Sequence, residues 1–193
     1  MSIMRDRPVP AERLLDAASS LFAREGIRAV GIERILAEAD VARASLYQHY
    51  GSKDALIVAY LQRQDELDRV GYERAAKALT DSREDLRARV LLVFDLAAKG
   101  ARRRRFRGCL YLNAATEFPH ASHPVNAAVR DHRCRIESLW TDALAGLGLA
   151  EPESTVAQLS LLYDGGLAGS KVSKSTAPIL LAREMAAGLL PDG

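Results

Sequence analysis

Three observations predict an all-α fold for this chain. Apolar residues recur at helical spacing along almost its whole length, whereas no stretch shows the sustained alternation of a half-buried strand. Gly, Pro and Ser residues punctuate the apolar segments at positions typical of helix ends. These signals predict about nine helices, and 193 residues are enough to bury a substantial core.

Four helices are predicted in the first part of the chain. Gly26 and Gly51 suit the ends of the first and third, and Asp40 can adopt the left-handed conformation expected after the second. Ser52 is a good N-cap for the fourth, a long helix predicted over residues 53–79. The apolar residues of the four helices are, in order, Leu14, Leu15, Ala18, Leu21 and Phe22; Ile32, Ile35 and Leu36; Val41 and Leu46; and Leu56, Ile57, Tyr60, Leu61 and Leu67.

Five further helices are predicted in the rest of the chain. Asp81 or Ser82 can cap the first of them, Pro119 closes the second, and Pro124 suits the first turn of the third. Their expected limits are about 82–100, 108–118, 124–146, 153–171 and 177–190.

Composition excludes several classes of protein. With 48% apolar and 27% charged residues the chain is neither disordered nor collagen-like, and no apolar run approaches the length of a membrane span. The N-terminus lacks the apolar stretch of a signal peptide, and two cysteines are too few for a secreted disulfide framework. No nucleophile elbow, phosphate loop or Ser/His/Asp spacing stands out. A cytoplasmic protein that is not an enzyme, needs no cofactor and contacts no membrane is therefore expected.

The charge pattern indicates a local basic face. The net charge is only +2, but residues 41–53 contain no acid and include Arg43, His49 and Lys53. A basic face on an otherwise balanced domain is typical of a specific, salt-sensitive DNA reader.

The segment from Gly31 to Tyr50 has the spacing of a helix-turn-helix. Two short helices flank a tight turn at Glu38–Val41, and in such motifs the second helix enters the major groove while the first braces it. The alternative is a plain helical hairpin within a bundle.

The same region resembles the DNA-binding domain of the TetR family of transcriptional repressors. The resemblance covers about residues 11–58 and rests on ERLLDAASSLFAREGI followed by IERILAEADVARASLYQHYGSKDALI. It includes the Leu21-Phe22 pair, Gly26, the Leu46-Tyr47 pair and the entry to the fourth helix at Gly51–Asp54. A later segment, RGCLYLNAATEFPHASHPV, is similar to the regulatory domain of an AcrR-like branch of the family.

The resemblance implies which side chains contact DNA. Base edges are expected to meet Arg43, which can donate two hydrogen bonds to guanine, Ala44, which can meet a thymine methyl, and Ser45. Phosphates are expected to meet Tyr47, His49 and Lys53, although Tyr47 could instead be a core aromatic. Gln48 can reach either a base or a phosphate.

Three residues depart from the family pattern. Gly31 and Ala42 replace the usual hydroxyl residues at the starts of the second and third helices, and Asp40 replaces the usual turn glycine. The loss of two hydroxyls removes the phosphate contacts that the family pattern implies and about 1 kcal/mol of capping. Arg34 and Arg28 are candidates to replace those contacts.

The resemblance also implies a two-domain organisation and a homodimer. Residues 1–56 are expected to bind double-stranded DNA, and residues 57–193 to bind a ligand and dimerise. The last two helices contain small residues that permit close packing, although the glycines could simply bend a helix. The expected interface residues are Leu159, Leu162, Gly166, Gly169, Ala182 and Ala186.

An apolar pocket for a small-molecule effector is predicted in the second domain, because polar groups occur there among apolar and aromatic ones. Alternatively, Asn113 and Glu117 make only surface or inter-helix hydrogen bonds. The candidate lining residues are Phe94, Tyr111, Asn113, Thr116, Glu117, Trp140 and Tyr163.

Other clusters are given weaker interpretations. The spacing of His120 and His123, with Glu117 and His132 nearby, does not make a convincing metal site. The arginines at 102–105 belong either to a solvated loop or to a loop that attracts DNA phosphates. Rival functions are an all-α interaction module that never binds DNA and a redox-sensing regulator that uses Cys109 and Cys134.

Overall fold

The structure, a computed structural model, describes residues 9–102 and 106–191. In those ranges the chain forms nine α-helices and no strand, which confirms the predicted all-α class. Their bounds are α1 (Pro10–Glu25), α2 (Ile32–Ala39), α3 (Arg43–Tyr50), α4 (Lys53–Ala76), α5 (Arg83–Ala101), α6 (Leu110–Glu117), α7 (Pro124–Gly146), α8 (Glu153–Ser173) and α9 (Ala177–Ala187).

The predicted helices exist, and their ends differ by a few residues. The fourth helix ends at Ala76 rather than Leu79, because the Leu79 N–H donates to the Ala76 carbonyl at 2.9 Å in a tighter turn. The last helix ends at Ala187 because the Leu189 and Leu190 N–H groups donate to the Ala186 and Ala187 carbonyls at 3.1 and 3.4 Å in tighter turns. Both differences follow from tight terminal turns, which an apolar repeat does not reveal.

The described chain divides into two compact units. The first contains the residues up to Gln64 together with Ala114–Ala128. In this unit α1 packs against α2 and α3. Its core is a set of apolar side chains that are at most 3% exposed, among them Leu14, Leu21, Phe22, Ile27, Val30, Ile35, Leu46, Leu56, Ile57, Tyr60, Leu61, Ala114 and Val125.

The second unit contains Asp65–Asn113 and the described residues from Val129 onward. Here α8 and α9 pack against each other and against α5. Trp140 of α7 is fully buried, and its indole N–H donates to the Val90 carbonyl at 3.1 Å, so its polar atom is satisfied inside the core. Leu144, Leu159, Ile179 and Ala186 are fully buried in the same core, whose packing orders the C-terminal helices.

A polar cluster joins α4 to α7 within the second unit. Asp65 accepts hydrogen bonds from Arg135 at 2.7 and 2.9 Å and lies 2.5 Å from His132 Nδ1. The Tyr111 ring stacks on the imidazole, with ring centroids 3.4 Å apart. Burial lowers the pKa of His132 to about 4, with the positive charges of Arg135 and Arg133 adding to the shift and the bonded Asp65 opposing it. His132 is therefore neutral at pH 7.

Among residues 9–102 and 106–191, none of the helices has both the length and the apolar character needed to span a bilayer.

Candidate nucleic-acid interface

The turn between α2 and α3 has the geometry of a helix-turn-helix. Asp40 ends α2 in the left-handed conformation, with φ 52° and ψ 54°, as its sequence position predicts. Gly31 precedes α2 and Ala42 precedes α3, and neither forms a side-chain cap. The first N–H groups of α3 therefore lack a side-chain acceptor from their cap.

One buried residue and one hydrogen bond hold α3 against the rest of the first unit. Leu46 is completely buried and is the residue that anchors α3 in the core of the first unit. At the end of α3, the Tyr50 hydroxyl donates to the Ala11 carbonyl of α1 at 2.8 Å. These two contacts hold one face of α3 against the scaffold and leave the opposite face to solvent.

The solvent face of α3 carries the predicted DNA-binding side chains. Tyr47 is 46% exposed, which disfavours its assignment to the core. Ser45 is half-buried. The remaining predicted α3 contacts, all exposed, are Arg43, Ala44, Gln48 and His49. An eight-residue helix with a polar outer face and a single buried anchor has the dimensions of a major-groove reader.

Two of the predicted cations form ion pairs within the unit. The Arg43 guanidinium pairs with Glu33 of α2, and Arg34 pairs with Glu25 at 2.7 Å. All four side chains are at least a quarter exposed, so each pair contributes little to folding. Glu33 was not recognised from the sequence, because its pairing with Arg43 depends on the angle between α2 and α3. Its position one helix before an arginine that is predicted to contact a base is the available signal.

Lys53 begins α4 beside the predicted interface. Ser52 caps this helix, as predicted, by accepting the Ala55 N–H at 3.1 Å. The Lys53 ammonium donates to the Ile27 carbonyl at 3.4 Å, and its pKa is lowered by burial, with Arg28 adding to the effect and Asp54 opposing it. Lys53 thus stands at a helix N-terminus, where anions are favoured.

The seven residues predicted to line an effector pocket lie in both units. Thr116 and Glu117 belong to the first unit and the other five to the second. Phe94, Trp140 and Tyr163 contact one another, with ring centroids 5.7–6.0 Å apart. These three rings are therefore part of the packed core.

The polar members of that predicted set have partners within the chain. The Asn113 side chain accepts from Lys171 at 2.8 Å and donates to the Arg107 carbonyl at 2.9 Å, while Glu117 accepts the Arg28 N–H at 2.7 Å. The alternative interpretation from the sequence, that Asn113 and Glu117 make surface or inter-helix hydrogen bonds, describes these contacts. That the set binds an effector stays a prediction.

The predicted dimer residues lie at the contact between α8 and α9 of one chain. A Cβ atom on Gly166 would approach Ile179 and Ala182 to 2.8–3.0 Å, and one on Gly169 would approach Pro178 to 2.9 Å. Leu159, Ala182 and Ala186 are buried, and Leu162 is half-buried. The small residues thus serve packing inside the chain, and their role in a dimer stays a prediction.

The weaker candidates have ordinary explanations where they are described. No group of three His, Cys, Asp or Glu side chains in the described ranges could hold a metal ion. Cys109 and Cys134 are both free thiols, and burial raises the pKa of Cys109, which disfavours a reactive thiolate. Arg102 is exposed, whereas Arg103, Arg104 and Arg105 lie outside the described residues.

Comparison with known proteins identifies a matching family and a similar solved structure. Residues 14–60 match the family described as "Bacterial regulatory proteins, tetR family". Over the whole fold the chain is similar to a TetR-family transcriptional regulator from Streptomyces coelicolor, with 35% identity, a TM-score of 0.81, and coverage of 95% of this chain and 97% of that one.

Two curated relatives extend the comparison. The transcriptional activator FasR of Mycolicibacterium smegmatis is 41% identical over 83 residues, which are 43% of this chain and 38% of FasR. This chain thus matches less than half of the length of FasR. The transcriptional regulator YjdC of Escherichia coli is 21% identical over 93% of this chain and 92% of its own length.

Proposed function

This chain belongs to the TetR family of DNA-binding transcriptional regulators, and from that premise we propose that it is a ligand-responsive repressor. As a homodimer it binds a pseudo-palindromic operator, and a small-molecule effector releases it. Residues 1–56 read the DNA, and residues 57–193 dimerise and respond to the effector. The protein acts in the cytoplasm, where bacterial operator DNA lies.

The observation that carries the proposal is the exposed face of α3 on its helix-turn-helix scaffold. Arg43 donates to guanine, Ala44 meets a thymine methyl and Ser45 contacts a base edge at the N-terminal end of α3. The other contacts position the helix on the phosphates, and they come from Tyr47, His49, Lys53 and Arg34, while Gln48 reaches either a base or a phosphate.

A homodimer is supported by exposed apolar surface on the last two helices. Leu161 and Val172 of α8 are 74% and 83% exposed, and with the exposed Gly165 and Ala168 they form a stripe at helical spacing. On α9, Leu181 and Met185 are more than half exposed. A second copy covering both helices would bury this surface and complete a four-helix interface.

Dimerisation explains how one short helix reaches operator specificity. Two recognition helices about 34–36 Å apart, or a little more, read two half-sites on one side of the duplex. An effector that binds better to a state with another separation would shift the population away from DNA. The predicted effector residues of the second unit are the starting set for locating that site.

An activator is the second candidate. The relative that is 41% identical over 83 residues is called a transcriptional activator. A promoter fused to a reporter separates the two roles: deletion of the regulator raises expression for a repressor and lowers it for an activator.

The experiment that tests the proposal is a binding titration on the DNA upstream of the gene. The purified protein is titrated at two salt concentrations, with random DNA as the control. Tighter binding to the upstream fragment, with a steep salt dependence, is the expected result. Absence of binding to either DNA at low salt would contradict the proposal and favour an interaction module.

Two substitutions separate base reading from phosphate contact. Arg43→Ala should cost about 1–3 kcal/mol of operator binding and relax the preference at one base position. Lys53→Ala should weaken binding to every sequence alike and reduce the salt slope by about one. Arg74→Ala, which removes an exposed charge from the end of α4, is the matched control. Equal losses for Arg43→Ala on all sequences would contradict the base-reading role.

A further inference from the structure

A cavity of about 410 Å³ lies in the first unit. Its walls come from the loop after α1, the first turn of α4 and the connection between α6 and α7. All of these segments belong to the same compact unit as the helix-turn-helix. The volume is within the range of small-molecule sites.

The α6–α7 wall of the cavity is held by its own hydrogen bonds. The Asn126 amide donates to the Phe118 carbonyl at 2.7 Å and to the His120 carbonyl at 2.9 Å. The His123 N–H also donates to the His120 carbonyl, at 2.8 Å. A wall built in this way needs little ordering when a ligand binds, so less binding free energy is lost.

Two cations line the cavity without a carboxylate partner. The Arg28 guanidinium lies 5.5 Å from the centroid of the Phe118 ring, and the Lys53 ammonium has only the long 3.4 Å bond to the Ile27 carbonyl. Neither forms an ion pair with any carboxylate of the described chain. Burial is the main cause that lowers the pKa of Lys53, with Arg28 adding to the shift and the nearby Asp54 and Glu117 opposing it.

The nearby carboxylates are already engaged elsewhere. Asp54 lies 3.3 Å from His123 Nε2, and His123 Nδ1 accepts the Val125 N–H at 3.3 Å. Glu117 accepts the backbone N–H of Arg28 at 2.7 Å. Both acids therefore have partners other than the two cationic side chains.

The rest of the lining is half apolar and half polar, with Ile57, Phe118 and Pro119 beside Asp54, His120 and His123. Ile57 is 1% exposed and Phe118 is 8% exposed, and Pro119 follows directly in the same wall. The Phe118 ring also packs against the His123 imidazole, with ring centroids 4.6 Å apart. The cavity thus offers two cations and an apolar patch, and its other lining residues, Asp54, His120 and His123, are polar.

We propose that this cavity binds a small organic carboxylate. Its carboxylate group accepts hydrogen bonds from Arg28 and Lys53, and its apolar body lies on Phe118, Pro119 and Ile57. Small-molecule sites commonly bind a charged group through charge-assisted hydrogen bonds and bury the rest of the ligand against apolar side chains.

The ligand in this cavity would act directly on DNA binding, an inference that rests on the proposed function. Lys53 is the residue proposed to hold an operator phosphate. A carboxylate that occupies its ammonium group competes with that phosphate, so the ligand weakens operator binding without a rearrangement of the second unit. This route is separate from an effector site among the C-terminal helices.

Direct binding to the full chain tests the site without DNA. Benzoate and hexanoate serve as aromatic and aliphatic probes, benzamide is the neutral counterpart, and binding is followed by calorimetry and by amide chemical shifts. A carboxylate probe should shift residues around Phe118 and His123, and benzamide should not. Arg28→Gln should weaken carboxylate binding about tenfold or more, whereas Arg74→Gln should not change it.

The possible results test carboxylate binding separately from its effect on DNA binding. Absence of binding by both carboxylates at millimolar concentration, equal binding of benzamide, or unchanged binding to Arg28→Gln would each overturn the site. A carboxylate should raise the operator Kd of the parent protein and of Arg74→Gln more than that of Arg28→Gln. An operator Kd that does not respond to a bound carboxylate would overturn the competition. If no DNA is bound at all, the proposed function fails while the direct binding assay still decides the site.

Discussion

Arg43 combines two interactions that compete with each other. It is the residue proposed to read a guanine, and in the structure its guanidinium pairs with Glu33 on the neighbouring helix. Both side chains are more than half exposed, so the pair contributes little to stability. Before Arg43 can donate to a base, however, the interaction with Glu33 must be replaced. Glu33 therefore opposes DNA binding, both through this pair and through its own negative charge.

We expect Glu33→Gln to tighten DNA binding. The substitution frees Arg43 and removes a negative charge near the phosphates, so the operator Kd should fall by up to about fivefold, the limit for one exposed ion pair. Fluorescence anisotropy at several salt concentrations measures the change. Glu38→Gln, which removes an exposed charge from the same helix, is the control. An equal effect of both substitutions would show that general charge, and not the pair, is responsible.

Close packing of α8 on α9 depends on where the glycines lie. Gly166 lies against Ile179 and Ala182, and the contact involves the Ile179 Cα atom as well as side chains, so the neighbour cannot simply rotate away. Gly71, in the middle of α4, has open space where a Cβ atom would stand. The same residue type is therefore required by packing in one helix and only tolerated in the other.

Substitution of Gly166 and of Gly71 by alanine should change the free energy of unfolding in opposite directions. Gly166→Ala should lower the free energy of unfolding by about 1–3 kcal/mol, because α9 must move away from the added methyl group. Gly71→Ala should raise it by up to about 1 kcal/mol, because alanine is the better helix former. Thermal unfolding of the two variants beside the parent measures both changes. A stable Gly166→Ala would show that α9 can shift without cost.

The contact between α4 and α7 makes stability depend on pH. The pKa of His132 falls from 6.5 to about 4 on folding, because the imidazole is buried. Between these values the unfolded chain binds a proton that the folded chain does not. The stability due to neutral His132 is therefore complete above pH 6.5 and is lost as the pH falls towards 4.

A substitution isolates this pH dependence from that of the other groups. Over the pH range 7 to 4.5, the free energy of unfolding of the parent should fall by about 1–3 kcal/mol more than that of His132→Gln. Urea unfolding at each pH provides the comparison. His49→Gln, which changes an exposed histidine, should retain the parental slope. A parental slope in His132→Gln as well would mean that other groups cause it.

At the scale of the whole molecule, packing within one chain does not explain the exposed apolar stripe of α8. Leu161 and Val172 are among the most exposed large apolar residues described. Covering them is the physical reason for the proposed dimer. Operator affinity then depends on dimerisation, because a monomer contacts one half-site only.

Leu161→Glu should therefore convert the proposed dimer to a monomer and strongly reduce operator affinity. Burial of an unpaired carboxylate at the interface is the cause. Sedimentation velocity measures the assembly and anisotropy the DNA binding. Leu67→Glu makes the same change at a position that is 56% exposed on α4 and should leave the dimer intact. A Leu161→Glu protein that remains dimeric would remove α8 from the proposed interface.

Local signals in the sequence determined the helices and the helix-turn-helix. Apolar spacing located all nine described helices, and Asp40 and Ser52 marked a left-handed turn and a helix cap, both of which are seen. Such features depend on neighbouring residues, whose spacing is visible along the chain. The exposed side of α3 followed in the same way, because Leu46 is its one buried residue.

Contacts between residues distant in sequence were decided only by the tertiary structure. Glu33 opposite Arg43, Glu117 on the Arg28 N–H and Asp65 on His132 each depend on how two helices are mounted. Gly166 is a similar case. Its small size predicts close packing with a neighbouring helix, but only the structure shows that this helix is α9. Residue types and spacing identify a helix face, but the partner of that face is set by the packing of the whole core. For this reason the sequence predicted the helix-turn-helix, whereas the cavity proposed to bind a carboxylate emerged only from the fold.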